Sequence, residues 1–227
     1  MSEKQDPSLT DTTRRRFVKT AGAAAAAGAA IGFPSVTFGV PNDKKLKIGV
    51  VGTGGRGGGA MLNALAADDN VELYSMGDLY LAEAEKKLEM VRKSPIAKDK
   101  LAGDLDSRVF SGIDSYKKVI DSGVDVILLT TPPGFRPTHF KAAVEAGINC
   151  FVEKPCATDI AGVKDFLATS KIAAEKGLSV LCGFCYRYSQ QGRALFERIH
   201  DGAIGDIRSV HSIYHAGPVK AMPDAAS

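Results

Sequence analysis

"IGVVGTGGRG", residues 48–57, decides the fold. Ile48, Val50 and Val51, broken only by a small glycine, read as a strand buried on both faces. The strand stops at Gly52, and a helical pattern starts almost at once. Gly52, Gly54 and Gly57 stand in G-x-G-x-x-G register after a strand and at the opening of a helix, the context that gives this pattern meaning. Gly52 permits the tight turn, Gly54 lets backbone approach a diphosphate, and Gly57 allows the helix to pack closely. The helix N-terminus offers free N–H groups and a partial positive charge to phosphate oxygens, and Arg56 adds a cation. Roughly 20 residues further on, Met76-Gly77-Asp78 ends the second strand, where a carboxylate accepts hydrogen bonds from an adenosine ribose. Asp78 also repels a 2′-phosphate, so NAD is favoured over NADP. Asp78 has a plainer use as a cap for the next helix. Methyltransferases share a glycine loop with an acidic second-strand end, so the loop alone does not exclude them.

Outward from this stretch, short apolar runs alternate with helical patterns, which predicts an α/β fold with a doubly wound parallel sheet of Rossmann type. Strands are expected over 46–51, 71–76, 124–130, 148–153 and 178–184, with a weaker one near Val109. Helices are expected near 56–67, 79–93, 114–122, 136–146, 159–176 and 189–201. In the helix over 159–176, Ile160, Val163, Phe166 and Leu167 share one face and are expected to pack in the core. Ile207 to Tyr214 alternates like a half-exposed strand, either an edge of the main sheet or the first strand of a further α+β domain.

The fifth strand ends on Glu153-Lys154-Pro155. In a doubly wound sheet, ligands bind outside the carboxyl ends of the strands, so this tripeptide faces the nicotinamide half of the cofactor. Proline biases Lys154 towards extended geometry and delays the next helix. An ammonium group held there can hydrogen-bond a substrate hydroxyl and ease hydride loss from the same carbon. Methyltransferases have no need of such a group.

The glycine loop, Thr130-Thr131-Pro132-Pro133 after strand four, His139 in the next helix, Glu-Ala-Gly at 145–147 and Phe-Val-Glu-Lys-Pro at 151–155 together resemble the Gfo/Idh/MocA oxidoreductases, the glucose-fructose oxidoreductase and inositol dehydrogenase family. The likeness runs over roughly residues 45–217. It implies a nicotinamide cofactor, a sugar or polyol substrate and hydride transfer at a hydroxyl-bearing carbon. Gly52, Gly54 and Gly57 are implied at the diphosphate, Asp78 at the ribose, Thr131 and Pro132 in the crevice, and Glu153 with Lys154 at the nicotinamide and the reacting hydroxyl. His139 either lines the crevice or packs between helices. The chain is expected to divide into a signal region at 1–40, set by a separate motif, and, as the resemblance implies, a dinucleotide-binding domain at 45–204 and, at 205–227, the start of a substrate domain of which most is missing. The expectation is a truncated or frameshifted member that keeps cofactor binding and lacks efficient turnover; a non-catalytic fragment and an NAD-dependent glycoside hydrolase are the alternatives.

Thr13-Arg14-Arg15-Arg16-Phe17-Val18-Lys19, followed by an Ala/Gly run to about Phe33, resembles a twin-arginine export signal. The run is short and weakly apolar for a membrane span of about 20 residues. Engagement of the twin-arginine translocase and delivery to the periplasm or cell envelope are expected. That route carries folded proteins, which suits a chain that captures a cytoplasmic cofactor.

Residues 1–40 hold five Lys or Arg and three acids, so the totals of 29 and 26 leave 24 against 23. The body is nearly neutral and has no basic stripe, which argues against nucleic acid as a partner. A homo-oligomer is allowed, with nothing in the residues to fix its size. Cys182 and Cys185 have redox-type spacing but lie on or beside a strand, where it has little meaning. Cys150 and Cys182 belong to strands expected to be neighbours, so a bridge between them is open to an exported protein, though export in the folded state does not demand one. Cys156 is placed on the crevice wall. His211 and His215 lack a third ligand, so no metal site is assigned. Arg187, between Tyr186 and Tyr188, either reaches the substrate side or packs on the surface.

Overall fold

The structure, a computed structural model, describes residues 45–217; the export motif lies outside them. The chain divides into two units, Met1–Cys182 and Gly183–Ser227.

The first unit holds β1 (Leu46–Val51), α1 (Gly55–Ala67), β2 (Val71–Asp78), α2 (Leu81–Arg92), β3 (Val109–Ser111), α3 (Ser115–Asp121), β4 (Val126–Leu129), α4 (Arg136–Glu145), β5 (Asn149–Val152), α5 (Ile160–Glu175) and β6 (Val180–Cys182). The strands form one sheet in the order β3-β2-β1-β4-β5-β6, and every neighbouring pair is parallel. The six expected strands of this region are therefore present, with β2 running two residues further, to Asp78.

Side chains of a strand alternate between the two faces of its sheet, and here each face builds its own core. Ile48 and Val50 of β1, with Val126 and Leu128 of β4, pack with Ala60, Met61 and Leu65 of α1 and with Leu88 and Val91 of α2. Val51, Ile127 and Leu129 point the other way, onto Tyr116 and Val119 of α3, Phe140 and Ala143 of α4, and Phe166 of α5. Phe140 is fully buried and stacks on Phe166 with ring centroids 4.4 Å apart; burying one such ring contributes about 1.5–3 kcal/mol. Because strand order reverses between β1 and β4, a crevice opens beyond their carboxyl ends.

Three expectations need correction. On α5, Phe166, Thr169 and Ala173 form the buried stripe, whereas Ile160, Val163 and Leu167 are exposed. At 100° per residue those three lie about a third of a turn from the buried stripe, so one apolar helix carries two apolar faces. The Cys150–Cys182 bridge is excluded by register: β5 and β6 pair Cys150 with Val180 and Val152 with Cys182. Cys150 Sγ instead donates to the Ile148 carbonyl, and burial pushes its thiol up to about 12. Finally, Ile207–Tyr214 is neither strand nor helix and is exposed throughout. A strand needs a hydrogen-bonded neighbour, and none of the described residues supplies one.

In the second unit, a 3₁₀ turn (Cys185–Tyr188) leads into α6 (Gln190–His200). Ser189 caps α6 by accepting from Gly192 N–H at 3.1 Å. Arg187 is exposed, with its guanidinium 6.0 Å from the Phe184 ring.

His139 packs between α3 and α4. It is buried, and its ring stacks on Tyr116 at 4.2 Å. Desolvation lowers its pKa to about 4, so the folded chain holds it neutral. Between about pH 6.5 and 4 the unfolded state binds a proton that the folded state refuses. Stability from this residue is complete above pH 6.5 and is lost as pH falls towards 4. We predict that denaturant unfolding between pH 7.5 and 4.5 loses about 2 kcal/mol more stability in the wild type than in His139→Gln. Equal losses in the two proteins would contradict this burial cost.

Candidate functional site

Four strand ends meet at the crevice. After β1, Gly52 adopts φ +89° and a Cβ there would lie 2.5 Å from Thr131 N, so the turn admits only glycine without strain. A Cβ on Gly57 would collide with the Gly52 carbonyl oxygen, which is the close helix packing expected of the third glycine. The Thr130 hydroxyl donates to the carbonyls of Val51 and Gly52, tying β4 to the loop.

Gly54 and Gly55 are different, because a Cβ on either would meet open space. No side chain caps α1, and no acid stands in its first turn. The N–H groups of Gly54, Gly55 and Arg56 have no acceptor among the described residues. A 13-residue helix thus ends in unpaired donors and a partial positive charge facing the crevice. That arrangement fits a diphosphate.

Asp78, at the end of β2, braces this loop. Its Oδ2 accepts from Thr53 N at 2.6 Å and from the Thr53 hydroxyl at 2.9 Å. Its Oδ1 accepts from Tyr80 N at 3.2 Å, while α2 has no side-chain cap. Asp78 is therefore not the helix cap, and the link to Thr53 was not foreseen. A carboxylate oxygen has two lone pairs, so Oδ1 retains room for one more donor.

Arg56 and Glu153 join the two halves of the crevice. Arg56 Nε donates to Glu153 Oε1 at 2.6 Å, with the arginine side chain 40% exposed and the glutamate 4%. Glu153 Oε2 accepts from Lys154 N at 3.3 Å. The expected diphosphate cation thus has its Nε committed to the β5 end. Lys154 follows exposed, with a cis bond to Pro155, and its ammonium group has no partner among the described residues.

A cavity of about 440 Å³ occupies this region. Of the predicted residues, Gly52, Gly54, Arg56, Asp78, Thr131 and Pro132 are on its wall, as is His139, whose Nδ1 lies 3.3 Å from the Thr131 hydroxyl. Gly57, Glu153 and Lys154 are not on it: Gly57 packs beneath the loop, Glu153 sits behind Arg56, and Lys154 lies past the β5 end. Cys156 is also absent from the wall and packs against the core. Leu79, Tyr80 and Ile113 supply an apolar end next to Asp78.

Arg136 is the charged residue of the wall that sequence reasoning missed. It is buried at the first turn of α4, and its NH1 donates to the Pro155 carbonyl, while its Nε is buried without a partner. Burial lowers its pKa, opposed by Glu153, Cys156 and Cys182. A cation in a helix's first turn runs against the helix dipole; that misplacement was a legible signal that Arg136 serves a local acceptor.

The family described as "Oxidoreductase family, NAD-binding Rossmann fold" (GFO_IDH_MocA) matches residues 46–184. Over 172 residues the chain is 27% identical to a glycosyl hydrolase family 109 protein of Streptomyces coelicolor, covering 74% of this chain and 34% of that one. It is 28% identical over 169 residues to an inositol 2-dehydrogenase of Azotobacter vinelandii, covering 73% and 44%. The solved scyllo-inositol dehydrogenase of Lactobacillus casei, with bound NAD(H) and scyllo-inositol, superposes with TM-score 0.57 at 23% identity, covering 72% of this chain and 43% of that one. The chain spans between about a third and a half of the length of such relatives. The chain belongs to the Gfo/Idh/MocA oxidoreductase family, and residues 46–184 are its NAD-binding Rossmann domain.

Proposed function

We propose that this chain provides the cofactor half of an exported oxidoreductase that moves a hydride between NAD and a hydroxyl-bearing carbon of a sugar or polyol. The observation that carries the reading is the set of open amides at Gly54, Gly55 and Arg56, in a cavity walled at one end by Asp78. The amides hold the diphosphate, and the free side of Asp78 Oδ1 accepts from a ribose hydroxyl. Arg56 and Arg136, the two cations on the wall, are engaged with Glu153 and Pro155. Among the described residues Asp78 is paired with neither cation, and its charge repels a 2′-phosphate, which favours NAD over NADP. When bound, the nicotinamide accepts the hydride.

The remaining work falls to the chain's own residues. Glu153, fixed by Arg56 and by the backbone N–H of Lys154, orients the start of the turn, and Arg136 holds its far side at Pro155. Lys154 Nζ then hydrogen-bonds the substrate hydroxyl and takes part in moving its proton as the adjacent C–H bond breaks. Similarity to glycosyl hydrolase family 109 supports a second reading, in which the same cofactor cavity serves glycoside cleavage. Release of an aryl group from an aryl glycoside without net NADH formation would select that reading; Glu153-Lys154-Pro155 favours ordinary dehydrogenation. The motif at residues 13–19 supports export to the periplasm or cell envelope through the twin-arginine translocase, and a homo-oligomer remains compatible with this reading.

Titration followed by fluorescence tests cofactor choice. NADH is expected to bind at least about tenfold tighter than NADPH, a difference of about 1.4 kcal/mol. Asp78→Asn keeps an acceptor for Thr53 and removes the charge, so the preference should narrow to within about threefold. An unchanged preference would remove Asp78 from ribose recognition. Lys154→Ala should cut polyol-dependent NADH formation by at least about a hundredfold, with NADH affinity changed by less than about threefold. Loss of NADH binding in that variant would contradict the role given to the lysine.

A further inference from the structure

Beyond the crevice, on the far side of Pro155, two sulfurs face each other. Cys182 is the last residue of β6 and pairs in register with Val152. Cys156 lies four residues past Val152, in the turn that carries Lys154 and Pro155. Their Sγ atoms are 3.3 Å apart, against about 2.05 Å for a disulfide, so a small shift of the turn closes the gap. Both residues are partly exposed, and a small thiol reagent can reach them. Arg136 is anchored to the carbonyl of Pro155, the residue before Cys156, and so holds this turn. The thiolate is the attacking species in thiol–disulfide exchange. Cys150 offers no competition, since its thiol is buried and bonded to Ile148.

We propose that Cys156 and Cys182 are an oxidisable dithiol, a modification site for disulfide oxidants whose closure staples the Lys154 turn to the end of β6. The thiolate of one cysteine attacks a sulfur of the oxidant and releases one thiol. The second cysteine then attacks the mixed disulfide, forming the Cys156–Cys182 bond and releasing the second thiol. Two electrons and two protons pass from the protein thiols to the two thiols released. The bridge encloses α5 within a single loop. Neither cysteine is on the cavity wall, so the test needs neither bound cofactor nor export.

The full chain, reduced with dithiothreitol and then exposed to oxidised glutathione, is to be quenched with N-ethylmaleimide and mapped by non-reducing peptide mass spectrometry. Free thiols should fall from the four present in the sequence to two, with loss of two hydrogen atoms from the intact mass and a single cross-linked peptide pair joining Cys156 to Cys182. The double variant Cys150→Ser, Cys185→Ser should close the same bridge, and dithiothreitol should reopen it. Separate glutathione adducts on Cys156 and Cys182, or a bridge from Cys182 to Cys185 or Cys150, would overturn the proposal.

Discussion

The carbonyl of Gly52 stands where any side chain at position 57 would have to be. That contact sets how closely α1 approaches β1, and the rest of the crevice follows from it. With α1 drawn down onto the turn, its first amides lie at the floor of the cavity rather than against a neighbouring side chain. The loop is held from three strands at once: β1 continues into it, Thr130 after β4 bonds its carbonyls, and Asp78 at the end of β2 takes the Thr53 amide. A donor set fixed in this way needs no rearrangement to meet an anion, and preorganisation is where such sites gain affinity.

The same economy governs the charges across the crevice. Glu153 is nearly buried, and a buried carboxylate is costly unless paired and hydrogen-bonded. Arg56 reaches over from the glycine loop to pair with it, linking the diphosphate end to the β5 end. Only Nε is committed in this pair; the terminal nitrogens of a guanidinium fork can still face an anion. One arginine thus suits both its expected place at the diphosphate and its observed place beside Glu153. Lys154 joins this network only through its backbone N–H, and among the described residues its ammonium group stays outside it.

What could be read in advance divides along physical lines. Ile48, Val50, Val126 and Ile127 announce strands because residues buried on both faces must be apolar at every position, and that signal is local. Gly52 and Gly57 were legible because backbone collisions forbid anything larger. Arg136, Ser115 and Tyr80 were not assigned to the site, because a place on the cavity wall depends on how loops after different strands converge. The Cys150–Cys182 bridge, open on the sequence, is closed off for a related reason: the two occupy adjacent strands, but their two-residue offset is a matter of register, which no local pattern carries. Ile160, Val163 and Leu167 repeat at helical spacing, yet periodicity finds an apolar face without naming what covers it. The alternation over Ile207–Tyr214 likewise describes a strand's preferences without supplying its partner.

The account rests on unpaired backbone donors at the start of α1 receiving a dinucleotide diphosphate. Amide chemical shifts of the ¹⁵N-labelled chain, followed as NAD is added, test this most directly. The amides of Gly54, Gly55 and Arg56 should shift most, with Thr53 following through its bond to Asp78 and the exposed face of α5 unmoved. Shifts that saturate elsewhere while these three amides stay fixed would contradict it.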